Sequence, residues 1–312
     1  MTIPPPIPGS DGNVIDRHDS LGNIDAFAAR RIFERNARNS AGTDVLSREI
    51  ERRMLERLQY IRLEPSRILD AGSGAVPALA SLAKFYPQAA LHALDVAHAP
   101  LARARTTRPL AARARDLFAG RASNYICGDF AQLPFAMRSF QLIWSNLALA
   151  WAVDPLPVFK DFCRVLDVGG LVMFSTYGPD TLKELRAAFA CVDSYPHTHR
   201  FIDMHDLGDM LVAAGFAEPV MDMETITLTY TDFAGLARDL RQSGQANVAQ
   251  GRRRGLLGKQ AYHGMRAAYE DMRRDGRLPA TAEVVYGHAW RVGPRVSDDG
   301  RSIVKFDRKL RS

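Results

Sequence analysis

The chain has 312 residues, of which 46% are hydrophobic and 24% charged, with a formal net charge of +6; this balance suits a globular protein of one large domain with insertions or two small ones. The basic excess is compatible with nucleic acid, an anionic membrane surface or an acidic protein partner, and does not choose among them. Three cysteines, Cys127, Cys163 and Cys191, none at C-x-x-C spacing, argue against a disulfide framework or a structural zinc site and for a reducing cytoplasm.

Residues 1–22 read as a disordered tail, because Pro, Gly and Asp dominate and little could be buried. The opening MTIPPPIPGSDGN has no apolar core of a secretory signal, and no run of 18 apolar residues predicts a membrane span. Residues 23–60 read as N-terminal helices, with Val45, Ile50, Met54, Leu55 and Leu58 at helical spacing among charges. Strand and helix signals then alternate. RILDA (67–71) predicts a strand, followed by a glycine turn and an apolar helix ending near Tyr86. ALHALDV (90–96) is a second strand, and an arginine-rich helix follows from Leu101 to Phe118. SNYICGD (123–129) and FQLIWSN (140–146) are the third and fourth strands. VFKDFCRVL (158–166) is a helix stopped by Gly169-Gly170, and LVMFST (171–176) is the fifth strand. Helical stretches at 180–190 and 205–214 precede a strand at 219–229. Helices at 231–244 and 258–275 lead to a last strand, TAEVVYGHAW (281–290).

This order predicts an α/β fold, a doubly wound, mostly parallel seven-stranded sheet with helical lid insertions. The core spans 61–230, a helical lid insertion 231–280, the last core strand 281–292 and a loose tail 293–312. Residues 178–204 and 231–280 are expected to cover the ligand edge of the sheet.

DAGSG, Asp70 to Gly74, lies between a predicted strand and a predicted helix and is the centre of the candidate site. In such a sheet the ligand lies beyond the carboxyl ends of the strands. Glycines there let backbone approach the ligand, as with Gly72 and Gly74. Asp95 ends the second strand at the offset at which an acid grips a ribose hydroxyl. Asp129 ends the third, where it could accept from an adenine amino group with Phe130 beside the ring. Each acid alone reads better as a helix cap or turn residue; three on successive strand ends, with the glycine turn, reverse that and point to a nucleotide. A dinucleotide site wants glycine at position 77, where this chain has Pro77. Asp70 also sits poorly beside a pyrophosphate. It suits a ligand carrying an ammonium group, which favours S-adenosylmethionine (SAM) over NAD.

DAGSG, LDV, GDFAQLPF and SNLALAW, in this order and spacing, resemble the class I SAM-dependent methyltransferases. RIFERNARNSAGTDVLSREI (31–50), WSNLALAWAVDP (144–155), HTHRFIDMHDLGDMLVAAGF (197–216) and LPATAEVVYGHAW (278–290) are similar to the BioC-type malonyl-carrier-protein O-methyltransferases of biotin synthesis. The resemblance implies that Asp70, Gly72 and Gly74 line the methionine part of SAM and Asp95 binds the ribose. It places Asp129 and Phe130 at the adenine, and Asn146 and Leu147 beside the transferable methyl. Two positions depart from the family pattern: Val76 stands where a third glycine is usual, and Ser40 where a tyrosine covers the cofactor. A related branch of respiratory-complex assembly factors, with the same fold and little or no turnover, is the alternative.

Methylating a carboxylate requires no strong base, because the acceptor is already ionised and the sulfonium is a good leaving group. Alignment and exclusion of water are what remain, which fits the absence of an obvious acid/base pair. Arg200 is the candidate to steer the malonyl carboxylate, with His199 beside it. Trp151 is the candidate apolar wall at the methyl, with Asn146 nearby. The expected partner is an acidic acyl carrier protein bearing malonyl, with a small-molecule thioester as a second acceptor. It would meet either Arg103, Arg105, Arg108, Arg113 and Arg115 or Arg252, Arg253, Arg254 and Lys259. No aromatic-rich RNA-reading motif accompanies these arginines, so nucleic acid is not expected.

Overall fold

A computed structural model describes residues 24–37, 45–74, 78–107 and 123–293. The predicted tails, Ser40, Val76, Arg108, Arg113 and Arg115 lie outside the described residues, except that Gly293 of the second tail is described.

Two helices come first, α1 (Ala26–Asn36) and α2 (Val45–Leu58). Then β1 (Arg67–Ala71), α3 (Leu79–Phe85), β2 (Ala90–Asp95), α4 (His98–Thr107), β3 (Asn124–Cys127) and β4 (Phe140–Asn146) follow in turn. A 3₁₀ turn (Ala148–Trp151), α5 (Pro155–Val165) and β5 (Leu166–Tyr177) complete the parallel part. The remainder is α6 (Lys183–Ala190), α7 (Met204–Ala213), β6 (Phe216–Tyr230), α8 (Phe233–Gln242), α9 (Lys259–Glu270) and β7 (Leu278–Arg291).

The seven strands form one sheet in the order β3-β2-β1-β4-β5-β7-β6. β1 to β5 are parallel, and β7 runs antiparallel between β5 and β6. The chain order reverses between β1 and β4, which opens a crevice at their carboxyl ends.

Alternation along the strands assigns each residue to a face. Ile68, Leu142, Met173 and Val284 pack with Ile50, Met54 and Leu58 of α2 and Leu82 of α3 on one side. Leu69, Ile143, Val172 and Val285 pack with Val158, Phe159 and Phe162 of α5 and Leu207 and Leu211 of α7 on the other. A third apolar cluster joins Leu185 of α6, Phe233 and Leu236 of α8, Met265 and Tyr269 of α9, and Leu278 and Ala280 of β7. The caps are legible locally: Asp154 precedes Pro155, and its side chain accepts the Leu156 N–H at 2.9 Å, an arrangement worth about 1 kcal/mol.

Two expectations need correction. Gly169-Gly170 does not stop α5. The helix ends at Val165, and Leu166 already pairs with Phe140, so strand pairing captures the chain before the glycines. β3 ends at Cys127, which leaves Asp129 in the following turn rather than at a strand end.

Candidate functional site

Asp70 and Asp95 stand near the ends of β1 and β2, 2% and 7% exposed. The Asp70 carboxylate accepts the Ala78 N–H at 2.9 Å. Burial nevertheless pushes its pKa up to about 8, the hydrogen bond opposing this and the nearby Glu51 and Asp95 adding to it. Asp95 accepts the Gly74 N–H at 2.9 Å and the Ala97 N–H at 2.8 Å, and burial raises its pKa too. Two carboxyls without a cationic partner among the described residues thus face one crevice, and both favour a cationic ligand.

The glycine turn is fixed by geometry. Gly72 has φ +78°, and a Cβ there would lie 2.2 Å from Ala148 Cβ. Gly74 has φ +60° with open space around it, so conformation alone requires glycine. Between them the Ser73 hydroxyl is buried and has no hydrogen-bond partner among the described residues. Asp70, Gly72, Ser73, Gly74, Asp95, Phe130, Asn146, Leu147 and Trp151 all line one cleft of ≈ 160 Å³. The fit to SAM is chemical: unpaired carboxyls for a cation, a free hydroxyl for a carboxylate, and glycines where a side chain would fill the cradle.

Asn146 is a brace. Its amide donates to the Ser47 carbonyl at 3.0 Å and to the Ser47 hydroxyl at 3.3 Å, and its oxygen accepts from Ser175 at 2.8 Å. The Ser175 hydroxyl in turn accepts the Leu147 N–H at 3.0 Å. This holds Leu147 at φ +58°, a strained conformation for a side-chain-bearing residue. Asp129 is exposed, its carboxylate accepts the Ala131 N–H at 2.8 Å, and it is not among the residues lining the cleft.

A second cavity, ≈ 390 Å³ and mostly apolar, adjoins the first. Leu46 of α2, Phe189 of α6, Leu236 and Ala237 of α8 and Ala280 to Ala282 of β7 line it. Ser243 and Gln245 line both cavities, while Trp151 faces the cleft and His199 the larger chamber. The two rings lie 4.8 Å apart, and Phe33 packs edge-on against Trp151 at 4.9 Å. His199 is 5% exposed and hydrogen-bonds the Ala150 carbonyl, while its Nε2 has no partner among the described residues. Burial lowers its pKa to about 4, so the imidazole is neutral at physiological pH.

Arg200 is brought to neither cavity. It is exposed and borders a separate surface pocket with Asp154, Pro155 and Asp206. Its neighbour His199 turns inward, and adjacent side chains of this non-helical segment diverge. The polar group that sequence reasoning missed is His197. It lines the chamber, stacks on Phe189 at 3.5 Å, and places Nε2 2.7 Å from Asp193 Oδ1. The alternation His197-Thr198-His199 was the available signal.

The arginines at 252–254 also divide. Arg252 pairs with Asp25 at 2.9 Å and donates to the Ala249 carbonyl, which ties this segment to the start of α1. Arg253 lies 3.6 Å from Asp193 and over the Tyr195 ring, and Arg254 lies 3.7 Å from Asp25.

The chain matches a family model described as a methyltransferase domain over residues 69–174. The malonyl-[acyl-carrier protein] O-methyltransferase of Gallionella capsiferriformans is 50% identical over 288 residues, 92% of this chain and 98% of that one. The protein of the same name from Laribacter hongkongensis is 50% identical over 90% of this chain and 96% of its own. The solved structure of the YcgJ protein from Bacillus subtilis superposes with a TM-score of 0.53 at 13% identity, covering 77% of this chain and 98% of that one, which is a likeness of fold. Half identity across nine-tenths of the length, on this cleft and sheet, settles the family: the chain belongs to the malonyl-[acyl-carrier protein] O-methyltransferases.

Proposed function

We propose that this protein transfers a methyl group from SAM to the free carboxylate of malonyl-[acyl-carrier protein]. The observation that carries the reading is the pair of adjoining cavities: a cleft lined by buried carboxyls and an apolar chamber, meeting at Trp151 and His199. When bound, SAM supplies an electrophilic methyl on a sulfonium. The chain supplies alignment. Asp70 and Asp95 attract the cationic cofactor, Asp95 holds the glycine turn, and Phe130 flanks the ring system. Asn146 and Leu147 shape the edge at which the methyl emerges. Trp151 and His199 keep that edge dry, and a desolvated carboxylate is the stronger nucleophile. Residues 231–280 act as a lid over the acceptor.

Esterification removes the charge from the far end of the acyl chain, so fatty-acid elongation enzymes would accept it. On this reading the reaction is an early step of biotin synthesis and takes place in the cytoplasm. The test is incubation with labelled SAM and malonyl-carrier protein, followed by intact-mass analysis. The expected product is a carrier heavier by one methylene and labile to an esterase. An unmodified carrier at stoichiometric enzyme would overturn the reading.

A further inference from the structure

The larger cavity has a direction. Ala280 and Ala282 of β7, at its inner end, are buried. Its exposed lining residues include Val45 at the start of α2, 72% exposed, and Arg241 at the end of α8. The mouth therefore lies between the start of α2 and the end of α8. Cations stand around it. Arg241 donates through Nε to the Ala237 carbonyl at 2.8 Å, and its terminal nitrogens meet no acid among the described residues. Arg238 lies one turn earlier on α8 and Arg48 one turn after Val45 on α2, so each neighbours a mouth residue on its own helix. Both are exposed, and neither is ion-paired among the described residues. The acids beside them are engaged: Asp239 accepts from Tyr230 at 2.5 Å, and Glu49 is held by Arg52 and Arg53.

We propose that this chamber receives the acyl thioester of the acceptor, and that Arg48, Arg238 and Arg241 form the surface on which an acidic carrier protein docks. The inference rests on the carboxyl methylation proposed above and assigns the partner's position. The prosthetic arm of the carrier enters between α2 and α8. Its phosphodiester meets Arg241 at the mouth, and its alkyl and amide segments fill the apolar passage. Its acyl end reaches the boundary with the cleft at Ser243, Gln245 and the Trp151–His199 pair. The lid arginines at 252–254 are poorer candidates, since Arg252 is committed to Asp25 and Arg253 and Arg254 each lie within 4 Å of an acid.

Two variants and two readouts test this. The triple change Arg48→Gln, Arg238→Gln, Arg241→Gln should raise KM for malonyl-carrier protein about tenfold at low salt, and less at high salt, with kcat held. Methylation of malonyl-pantetheine, which lacks the carrier and the phosphate, should stay unchanged, as should S-adenosylhomocysteine affinity. Ala237→Trp, which fills the chamber, should cut turnover of both acceptors about tenfold or more while sparing S-adenosylhomocysteine binding. Calorimetric binding of holo-carrier protein reads docking without turnover, and the triple variant should lose it. An unchanged KM and carrier affinity in the triple variant overturns the docking surface. Equal loss on both acceptors assigns the arginines to the fold and overturns it as well. Full activity of Ala237→Trp overturns the chamber. If the wild type binds the carrier and the triple variant does not, yet neither acceptor is methylated, the docking surface stands and the proposed reaction falls.

Discussion

At the level of single residues, Asp70 makes the most specific demand. Its pKa is raised by burial from 3.8 to about 8, so between these values the native state binds more proton than the unfolded chain. Stability of the cofactor-free protein therefore falls as pH rises from about 4 towards 8. The stabilisation is fully present below the unfolded pKa. Asp70→Asn should flatten this slope in thermal-denaturation midpoints taken across the range. An unchanged slope would assign the pH dependence elsewhere. If a cation of SAM lies beside Asp70, binding ionises it, so affinity should rise with pH up to about 8 and protons should be released. Calorimetry in buffers of different ionisation enthalpy measures that release directly. The glycines provide a matched pair. Gly74→Ala meets only the left-handed conformation, a cost of roughly 1–2 kcal/mol. Gly72→Ala adds a Cβ at 2.2 Å from Ala148, so it should lower the unfolding midpoint more than Gly74→Ala does. The reverse order would mean that the turn relaxes around Gly72.

Among elements, the contact that matters is the one from α2 to the ends of β4 and β5 through Asn146. Asn146→Ala removes the bonds to Ser47 and Ser175 together. At about 1 kcal/mol net per hydrogen bond, global stability should fall by roughly 1–3 kcal/mol. The larger effect is expected on cofactor affinity, because the wall carrying Leu147 loses its tether. A variant that loses stability but keeps S-adenosylhomocysteine affinity would reduce Asn146 to a packing residue. The strand at 140–146 was legible to the residue, because FQLIWSN is apolar, short and bounded by turns. Gly72, Gly74, Asp70 and Asp95 were legible for the same reason: a strand end fixes where its next residue lies. Residues held by long-range contacts were not. Arg200 and His197 look alike as polar groups in one loop, and only the packing of His197 against Phe189 decides which faces inward. The role of Arg252 depends on Asp25, 227 positions away, and no local pattern encodes that pairing.

For the whole molecule, the placement of β7 sets the order in which the sheet can close. It is the last strand among the described residues, yet it lies inside the sheet and pairs with β5 on one side and with β6 along nearly all of the latter's length. During synthesis at roughly 5–20 residues per second, β5 and the 15-residue β6 emerge with their partner still unmade. Until Leu278–Arg291 arrives, both are unsatisfied edges, open to other nascent chains. The inner wall of the larger cavity, Ala280 to Ala282, arrives with the same strand. The nascent enzyme therefore passes from aggregation-prone to competent over the 14 residues of β7. A chain ended at Arg277 should accumulate as insoluble material even though all the residues of the cofactor cleft are present.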